Sequence, residues 1–496
     1  MKKIFFIFLF LFVCSDLFVF NFWVNAKEYP KGFIGHVQEF RLKNGMRFVV
    51  LEDHFAPVVS FVTVVGAGSI NDPCGKTGLA HLLEHMAFKG TTRIGTKDWQ
   101  KEKILTKRLD ELYKRLKDIK ERSEKIKILK EIKDVKKKLS SVIISNEFAK
   151  IIEKNGGEDL NAQTGKDYTM YYCSMPSNKV EMWFYLESER LKDPVWREFY
   201  TEKQVVLEER RMRVDSNPVG KLFENLLLIA YLHHPYRRPG IGWKKDIENI
   251  EKEDLTKFYH TFYNPENISV FIVGDIYFDE VKRFANKYFA NIKPHSFHVS
   301  SPHYYEPIQK GRRFFVIKEK SHTPTLVRAY KGVSCRDKDF VSLDLLSVIL
   351  GGGRTSLLYK FLVEENNLAS DVFCFNGFPS SKYSSLFIIY VKPAKGVCLK
   401  DLSKTLENKL KEIKTKGIRD KDLLKSKKIL LAEFWKDLDS NLEIAKDMAI
   451  YQVLYGDWRG FFEYPKKVKE VTVEDIKEVI NKYLKDDRMV EGWLIE

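Results

Sequence analysis

Cysteine is scarce in this chain, which has six among 496 residues. The cysteines are scattered, no two of them form a Cys-x-x-Cys pair, and five follow residue 26. Because an odd number cannot pair completely within one chain, a disulfide framework is not predicted and buried free thiols are expected. Zinc-finger and RNA-binding signatures are absent as well. These absences argue against a disulfide scaffold and against a nucleic-acid-binding module.

Acidic residues are fewer than basic ones, 68 against 84, and the formal net charge is +16. Such a balance can attract nucleic acid or an anionic membrane. The lysine surplus is concentrated near residues 100–145, however, in a stretch with helical periodicity, where charged runs are usually solvated surface. We therefore predict no nucleic-acid partner. The length predicts roughly two to four domains, and 44% hydrophobic residues supply enough material for their cores.

The N-terminus has the pattern of an export signal. Lys2 and Lys3 precede the apolar run 4–13, and 24–26 (Val-Asn-Ala) forms an acceptable small-residue cleavage site. We predict a signal peptide over residues 1–26 and an exported protein, in the periplasm or on the outer face of the cytoplasmic membrane. Because apolar residues continue through 17–23, a retained N-terminal membrane anchor is the alternative.

The remainder of the chain alternates between strand and helix patterns. Asn44-Gly45 predicts a hairpin turn between two strands over 40–51. Further strands are predicted at 58–65, 159–164, 168–173, 268–274, 314–317, 325–330, 386–391 and 490–495. A helix is predicted to begin at Gly78 and to contain His81 and His85. Further helices are predicted near 177–191, 202–213, 221–232, 253–263, 279–292, 341–350, 400–415, 420–453 and 473–484. The two halves end alike, which indicates a degenerate internal duplication of one α+β domain.

Residues 100–145 differ from their surroundings. Leu105, Leu109, Leu112 and Leu116 recur at heptad spacing, and the pattern resumes after Ser123. This predicts two helices in an antiparallel hairpin with charged outer faces. The hairpin is interpreted as an insertion into the first domain.

The motif with the clearest chemistry is His81-x-x-Glu84-His85. On a helix, His81 and His85 lie one turn apart on the same face, where two neutral imidazoles can bind one zinc ion. Glu84 lies beside them and is close enough to polarise a water at the metal. This His-x-x-Glu-His order is the inverzincin signature and predicts a zinc metallopeptidase.

The competing interpretation is that two helical histidines are satisfied by core contacts. A chance match in a chain of this length has odds on the order of one in a hundred, so the motif is specific without being proof. Its position in an apolar helix directly after a strand and a Gly-rich turn favours the metal site.

A catalytic zinc usually has a third protein ligand. Glu202, Glu208 and Glu209 are candidates, and Glu202 and Glu209 are seven positions apart, two helical turns on one face. One of them could bind the metal while the other orients a ligand histidine. The residues alone do not choose between Glu208 and Glu209, and a solvated charged face remains the alternative.

Several segments together resemble the pitrilysin/insulinase family of zinc peptidases, which includes the mitochondrial processing peptidase β subunit and bacterial homologues. They are the His81–His85 box, the Phe88-Lys-Gly90 segment after it, the strand Leu160–Thr164, and the spacing of Glu202 and Glu209. The resemblance extends from about residue 36 to the C-terminus. It implies paired α+β domains and one zinc ion per chain.

Residue roles follow from the resemblance. It implies His81, His85 and Glu209 as zinc ligands, with Glu202 as the carboxylate behind them. Glu84 is then the catalytic residue that accepts a proton from water and delivers it to the leaving amine. The family's edge strand, which holds an extended peptide by backbone pairing, matches Asn161 and Ala162. Peptides or unfolded segments are the expected substrates.

Two features depart from the family pattern. The gap between His85 and Glu209 is unusually long, and the helical hairpin accounts for the excess. Family members that act alone also have an Arg and a Tyr, seven apart, after a Gly-rich segment in the second half. Here Val363 and Ser370 stand at those positions, after the Gly-rich segment 351–359. The chain is therefore expected to be the catalytic subunit of a heterodimer whose homologous partner supplies the Arg/Tyr pair.

The expected organisation is a catalytic zinc-binding domain over 30–293, a linker over 294–311, and a non-catalytic domain of similar topology over 312–496. The linker prediction comes from its proline, serine and histidine content without periodicity. Two other functions remain as alternatives: a non-catalytic structural subunit of the same fold, and a membrane-surface binding protein that uses the basic hairpin.

Overall fold

The computed structural model describes residues 36–294, 304–320 and 323–496. Residues 38–496 form one compact unit. The predicted signal segment 1–26 lies outside the described residues, as do residues 295–303 of the predicted linker. Among the described residues, none of the helices is both long and apolar enough to cross a membrane.

The first half of the chain forms one six-stranded sheet. Its strands are β1 (Val37–Arg41), β2 (Arg47–Glu52), β3 (Val58–Val65), β4 (Glu158–Thr164), β5 (Thr169–Pro176) and β6 (Ile268–Gly274). Their order across the sheet is β1-β2-β6-β3-β5-β4. β2 and β6 are parallel, whereas β3 pairs antiparallel with β6 and β5, and β4 pairs antiparallel with β5. β4 is therefore an edge strand.

The second half repeats this arrangement with five strands. They are β7 (Arg313–Lys318), β8 (Thr325–Lys331), β9 (Ala369–Phe378), β10 (Leu386–Pro393) and β11 (Met489–Ile495). Their order is β7-β11-β8-β10-β9, with β7 and β11 parallel and the other pairs antiparallel. This is the order of β2-β6-β3-β5-β4 in the first sheet, as expected for an internal duplication. β9 is thus the counterpart of β4.

Helices connect and cover the strands. In the first half they are α1 (Leu79–Met86), α2 (Trp99–Asp118), α3 (Arg122–Val142), α4 (Glu147–Lys154), α5 (Val180–Lys192), α6 (Phe199–Arg210), α7 (Pro218–Ala230), α8 (Lys244–Asn249), α9 (Lys252–Phe262) and α10 (Phe278–Tyr288). In the second half they are α11 (Phe340–Gly351), α12 (Leu357–Tyr359), α13 (Leu399–Lys416), α14 (Asp420–Asp437), α15 (Asn441–Leu454), α16 (Gly460–Glu470) and α17 (Val473–Tyr483). Short π-helical turns follow α6 and α12.

Two helices pack on the sheet of the opposite half. α7 contacts β11, β7 and β8, where Leu222, Leu226 and Ala230 join the apolar cluster of the second sheet. α15 lies across β3 and β6 of the first sheet. Burial of these apolar faces holds the two halves together, because each sheet would otherwise leave one face open to water. The division at residues 294–311 stays a prediction.

The inserted hairpin forms as predicted. Leu109 and Leu112 on α2 pack against Ile128 and Ile132 on α3. Its outer surface has exposed ion pairs such as Arg108 with Glu131.

The predicted α+β class, with two similar sheets and an inserted helical hairpin, is confirmed. Helices α4, α8, α12 and α16 and strand β9 are not predicted from the sequence. Residues 369–378 contain the strand-favouring run 372–375, but Ser370, Asp371, Asn376 and Gly377 on either side of it weaken the pattern. Pairing with β10 supplies the stability that local propensity lacks.

Candidate metal centre

The helix that contains His81 and His85 is fixed at its beginning by Asp72. The carboxylate of this buried residue accepts hydrogen bonds from the backbone N–H groups of Gly78, at 2.7 Å, and Ala80, at 2.9 Å. These groups have no partner inside α1, so Asp72 acts as its N-terminal cap. Gly78 has φ of 88°, in the left-handed region that favours glycine.

α6 lies against α1 and presents glutamates to it. Arg210, the last residue of α6, donates from Nη1 to the carbonyl oxygen of Gly242 at 2.6 Å. A Cβ atom at Gly78 would lie 3.1 Å from Cα of Gly242, so this loop runs directly beside the start of α1. Arg210 thereby connects the end of α6 to the beginning of α1.

The side chains of His81, His85 and Glu209 converge between the two helices. One ligand atom from each residue lies within 4.8 Å of the others, and no other such cluster of three occurs among the described residues. Oε2 of Glu209 is 3.6 Å from Nε2 of His81 and 3.4 Å from Nε2 of His85. Two imidazole nitrogens and one carboxylate oxygen form a typical donor set of a catalytic zinc site.

Glu208 and Glu209, between which residue spacing alone does not choose and of which the family resemblance implies Glu209 as the ligand, face different directions in the structure. Glu208 is half-exposed and forms an ion pair with Arg211, at 2.6 Å, on the outer surface of α6. Glu209 faces the histidines, and its other oxygen is 2.6 Å from Nη2 of Arg213. Because neighbouring helical residues point about 100° apart, only one of them can face α1.

The protonation states of His81 and Glu209 suit a metal. Burial, together with the nearby His85, lowers the pKa of His81 to about 3, so its imidazole is neutral. Burial alone would raise the pKa of Glu209, but its interactions with His85, His81 and Arg213 outweigh burial and lower that pKa to about 2. A neutral imidazole and an ionised carboxylate are the forms that bind zinc.

His85 lies between two carboxylates. Its Nδ1 is 3.5 Å from Oε2 of Glu202, and its Nε2 faces Glu209. Burial by itself would lower the pKa of His85, but the interactions with Glu202 and Glu209 raise it to about 9. Glu202 therefore lies where a carboxylate orients a ligand histidine through its second ring nitrogen.

Glu84 is next to the histidines and contacts the edge strand. Its Oε2 accepts a hydrogen bond from Oγ1 of Thr164, the last residue of β4. Burial raises the pKa of Glu84 above its usual value, while the bond from Thr164 acts in the opposite direction. Thr164 is the last residue of the family-like strand in the sequence, and no local pattern implies its contact with Glu84.

Asn161 and Ala162 lie on the edge strand β4, opposite Tyr172 and Tyr171 of β5. Within the described part of the chain, no strand pairs with the other edge of β4. The register is irregular between Glu158 and Asn161. The backbone N–H of Ala162 donates to Oδ1 of Asn161 at 2.8 Å. An extended peptide that pairs with this edge would replace that bond, directly beside the strand end that contacts Glu84.

Val363 and Ser370 stand at the positions where the resemblance implies an Arg and a Tyr in family members that act alone. Val363 lies in the π-helical turn after α12 and packs against the apolar core of the second half. Ser370 is an exposed residue near the start of β9, and its hydroxyl is 3.4 Å from the carbonyl oxygen of Lys392. Neither side chain provides a cation or a phenol.

Comparison with known proteins identifies the family. A model described as "Insulinase (Peptidase family M16)" matches residues 47–105 and 138–242, and one described as "Peptidase M16 inactive domain" matches 249–430. The zinc protease PqqE of Helicobacter pylori is 30% identical over 479 residues, covering 95% of each chain. This chain belongs to peptidase family M16. The first model spans the candidate metal centre, and the second covers most of the half without it.

Other M16 proteins are similar over most of the chain. The probable mitochondrial-processing peptidase subunit beta of Schizosaccharomyces pombe is 25% identical, over 90% of this chain and 88% of that protein. A protease structure from Helicobacter pylori superposes with a TM-score of 0.78 at 28% identity, covering 93% of this chain and 99% of that chain. The first half of the periplasmic protease PqqL from Escherichia coli shares the fold, with a TM-score of 0.69 at 17% identity.

Proposed function

We propose that this M16 protein is a zinc-dependent endopeptidase that cleaves peptides or unfolded polypeptide segments. The observation that carries the proposal is the convergence of His81, His85 and Glu209, with Glu84 next to them and an open edge strand alongside. The relatives named zinc proteases support the metal and the reaction class.

His81, His85 and Glu209 would hold one zinc ion. Zinc bound there supplies Lewis-acid chemistry, polarising the substrate carbonyl and making water more acidic. Glu202 keeps His85 oriented through Nδ1, and Arg213 holds the second oxygen of Glu209. The geometry of the three donors is thereby maintained by charged neighbours on α6 and the turn that follows it.

Glu84 is proposed as the general base and then the general acid. Its buried carboxylate accepts a proton from the attacking water and afterwards gives it to the amine of the leaving peptide. Burial raises its pKa above the usual value, which makes this carboxylate a stronger proton acceptor than an exposed glutamate. Thr164 fixes one carboxylate oxygen, so the proton exchange is directed towards the other oxygen of Glu84.

The substrate is proposed to lie extended along β4. Backbone groups at Asn161 and Ala162 would pair with the peptide, so recognition depends on its extended conformation more than on particular side chains. A folded domain cannot present such a strand, which favours peptides and unfolded segments as substrates. The contact from Thr164 to Glu84 sets the distance between this strand and the base.

We further propose that the chain works as a heterodimer. Val363 and Ser370 occupy the positions where self-sufficient relatives are expected to have Arg and Tyr, so a homologous partner chain would supply that pair. The match of 249–430 to an inactive-domain model agrees with a second half that provides no catalytic group. Export to the periplasm or the outer membrane face, through residues 1–26, completes the proposal. The relationship in fold to periplasmic PqqL is consistent with this location.

The central test compares the wild-type chain with Glu84→Gln and Glu208→Gln. Zinc content is measured by elemental analysis, and cleavage by a quenched fluorescent peptide, with the partner chain present. We expect Glu84→Gln to keep its zinc and lose cleavage by at least about 100-fold, because a general base contributes that much. Glu208→Gln, on the outer surface of the same helix, should match the wild type.

The same experiment tests the alternative of a structural subunit, which the inactive-domain match favours. A wild-type chain that binds no zinc, or that binds zinc and cleaves nothing with its partner, would replace the peptidase proposal with that alternative. Full activity in Glu84→Gln would overturn the role of this residue.

A further inference from the structure

We propose that the inserted α2–α3 hairpin positions the zinc site through Glu102, Arg197 and Lys89. The match to the M16 model is interrupted between residues 105 and 138, so most of this hairpin lies outside what the family model describes. The inference rests on the proposed zinc site and adds to it a set of residues that hold the site from outside. None of these residues touches the metal ligand atoms.

The connection begins at a buried ion pair at the base of the hairpin. Glu102, in the first turn of α2, and Arg197, just before α6, have side chains that are 1% and 2% exposed. Nε of Arg197 is 2.7 Å from Oε1 of Glu102, and Nη2 is 3.1 Å from Oε2. This two-point pairing joins the hairpin to the beginning of the helix that contains Glu202 and Glu209.

The rest of the Arg197 guanidinium binds the loop that leaves α1. Nη2 donates to the carbonyl oxygen of Thr91 at 2.9 Å, and Nη1 donates to the carbonyl oxygens of Ile94, at 3.2 Å, and Lys89. One buried side chain thus joins three segments: the hairpin, the loop after His85 and the beginning of α6. Its planar array of five N–H donors makes this possible.

Two glycines make room for this arginine. A Cβ atom at Gly90 would lie 2.9 Å from Nη1 of Arg197, and one at Gly95 would lie 2.6 Å from the same atom. Both glycines also have φ near 90°, which other residues rarely adopt. The backbone of the loop is therefore built around the guanidinium.

Lys89 links Arg197 to Glu202, the carboxylate next to His85 in the proposed metal site. While its carbonyl oxygen accepts from Arg197, its Nζ is 2.5 Å from Oε1 of Glu202 and 3.4 Å from Glu198. The other oxygen of Glu202 faces Nδ1 of His85 at 3.5 Å. A displacement of the loop would therefore move the ammonium group that holds Glu202 against His85.

The part of the hairpin that lies outside the family match, between residues 105 and 138, contacts α6 at a second place. Tyr113 stacks on Tyr200, with ring centroids 3.6 Å apart and planes at 13°. Tyr200 lies in the first turn of α6, two positions before Glu202. Asp110 pairs with Lys252 of α9 at 2.7 Å, which anchors the same face of the hairpin to the body. These contacts make the hairpin a packed support of α6 and not only a solvated surface extension.

Loss of the Glu102 carboxylate would leave the buried guanidinium of Arg197 without its compensating charge. A buried cation that loses its partner is strongly destabilising. Without that partner Arg197 must move towards water, and it would pull away from the carbonyl of Lys89. The expected effect is a weaker hold of Glu202 on His85 and a lower affinity for zinc.

The test measures zinc dissociation constants of the full chain by competition with a chromophoric chelator. The variants are Glu102→Gln and Tyr113→Leu on the hairpin, and Lys89→Met at the site. Arg115→Gln is the control, because its ion pair with Glu124 is 3.8 Å long and half-exposed on the same hairpin. We expect the three test variants to bind zinc about 10-fold more weakly or worse, as outer-shell changes usually do, and the control to match the wild type.

Two further readouts separate positioning from general destabilisation. Thermal unfolding of the metal-free variants reports folding, and the visible spectrum of the cobalt-substituted protein reports the geometry of the ligands. If Glu102 and Lys89 act through the same contact with Glu202, the double variant should lose less affinity than the two single losses predict together.

Each outcome has a defined meaning. Lower melting temperatures with unchanged zinc affinity and an unchanged cobalt spectrum would overturn the positioning proposal, as would fully additive losses in the double variant. If Glu102→Gln does not fold, Tyr113→Leu decides the question by the same criteria. Failure of the wild-type chain to bind zinc would instead overturn the proposed function on which this inference rests.

Discussion

The hydroxyl of Thr164 donates a hydrogen bond to the carboxylate of Glu84, which joins the edge strand β4 to helix α1. The two residues are 80 positions apart in the chain. The contact places the proposed base at a fixed point relative to any peptide that pairs with β4. It also leaves one oxygen of Glu84 for the proton transfer.

Removal of this hydroxyl in Thr164→Val should lower kcat more than it raises KM. A hydrogen bond to a charged group contributes about 2 kcal/mol, which corresponds to a loss in rate of roughly 10- to 30-fold. Thr164→Ser, which keeps the hydroxyl, is the control and should stay near the wild type. Steady-state kinetics on a fluorescent peptide measures both constants, and an unchanged kcat in Thr164→Val would show that the contact has no catalytic role.

The two adjacent glutamates on α6 should respond in opposite ways. Glu209→Gln removes the carboxylate that faces His81 and His85, and zinc binding should fall below detection at micromolar metal. Glu208→Gln removes only a half-exposed ion pair with Arg211, which is worth little, and zinc binding should not change. Isothermal titration with zinc measures both variants, and zinc loss in Glu208→Gln would reverse the assignment.

Two aspartates at the same helix predict opposite dependences of stability on pH. Burial raises the pKa of Asp344 on α11 to about 7, although Asn376 and Tyr464 donate to it. Because the folded state then holds this proton more tightly than the unfolded chain, Asp344 costs stability progressively from about pH 4 to pH 7. Asp344→Asn should therefore gain stability over the wild type as the pH rises through that range.

Asp339, which directly precedes α11, has the opposite shift. Burial alone would raise its pKa, but Lys482 and Tyr483 donate to its carboxylate and hold the pKa below its usual value. Its contribution to stability is present above about pH 4 and is lost as the pH falls further. Asp339→Asn should destabilise the protein at neutral pH and approach the wild type in acid. Urea unfolding from pH 3.5 to 8 measures both variants, and parallel curves would contradict the assignments.

Activity should depend on the partner chain. With Val363 and Ser370 in place of Arg and Tyr, the purified chain is expected to cleave peptides slowly or not at all. Titration with a homologous chain that contains the pair but lacks the zinc motif should raise kcat/KM until the two are equimolar. A partner in which that Arg and Tyr are replaced is the matched control. Full activity of the isolated chain would remove the need for a heterodimer.

Much of the site could be predicted from local sequence. The spacing of His81 and His85 puts both rings on one face of any helix they form, and the spacing of Glu202 and Glu209 does the same two turns apart. These relations are set by helix geometry alone. The strands other than β9 are predictable for a similar reason, since their apolar, β-branched residues favour extended chain.

Helix geometry does not choose between Glu208 and Glu209. The family resemblance implies Glu209, but which of the two faces α1 depends on how α6 is rotated against that helix, which is a tertiary feature. The contact of Thr164 with Glu84 and the network around Arg197 are likewise long-range. They join segments that are distant in the chain, and no local pattern specifies which of them will be neighbours. Strand β9 is not predicted from the sequence, because pairing with β10 stabilises it more than its own residues do.

By itself, the amino-acid sequence determined the zinc motif, the family-like fold of two similar halves and the helical hairpin, because each of these depends on periodicity or spacing within one segment. Only the tertiary structure decided which glutamate faces the histidines, that α7 and α15 cover the sheets of opposite halves, and that the hairpin packs against α6. Those features arise when separate segments bury their apolar faces and pair their charges against each other, and that pairing is defined only once the whole chain has folded.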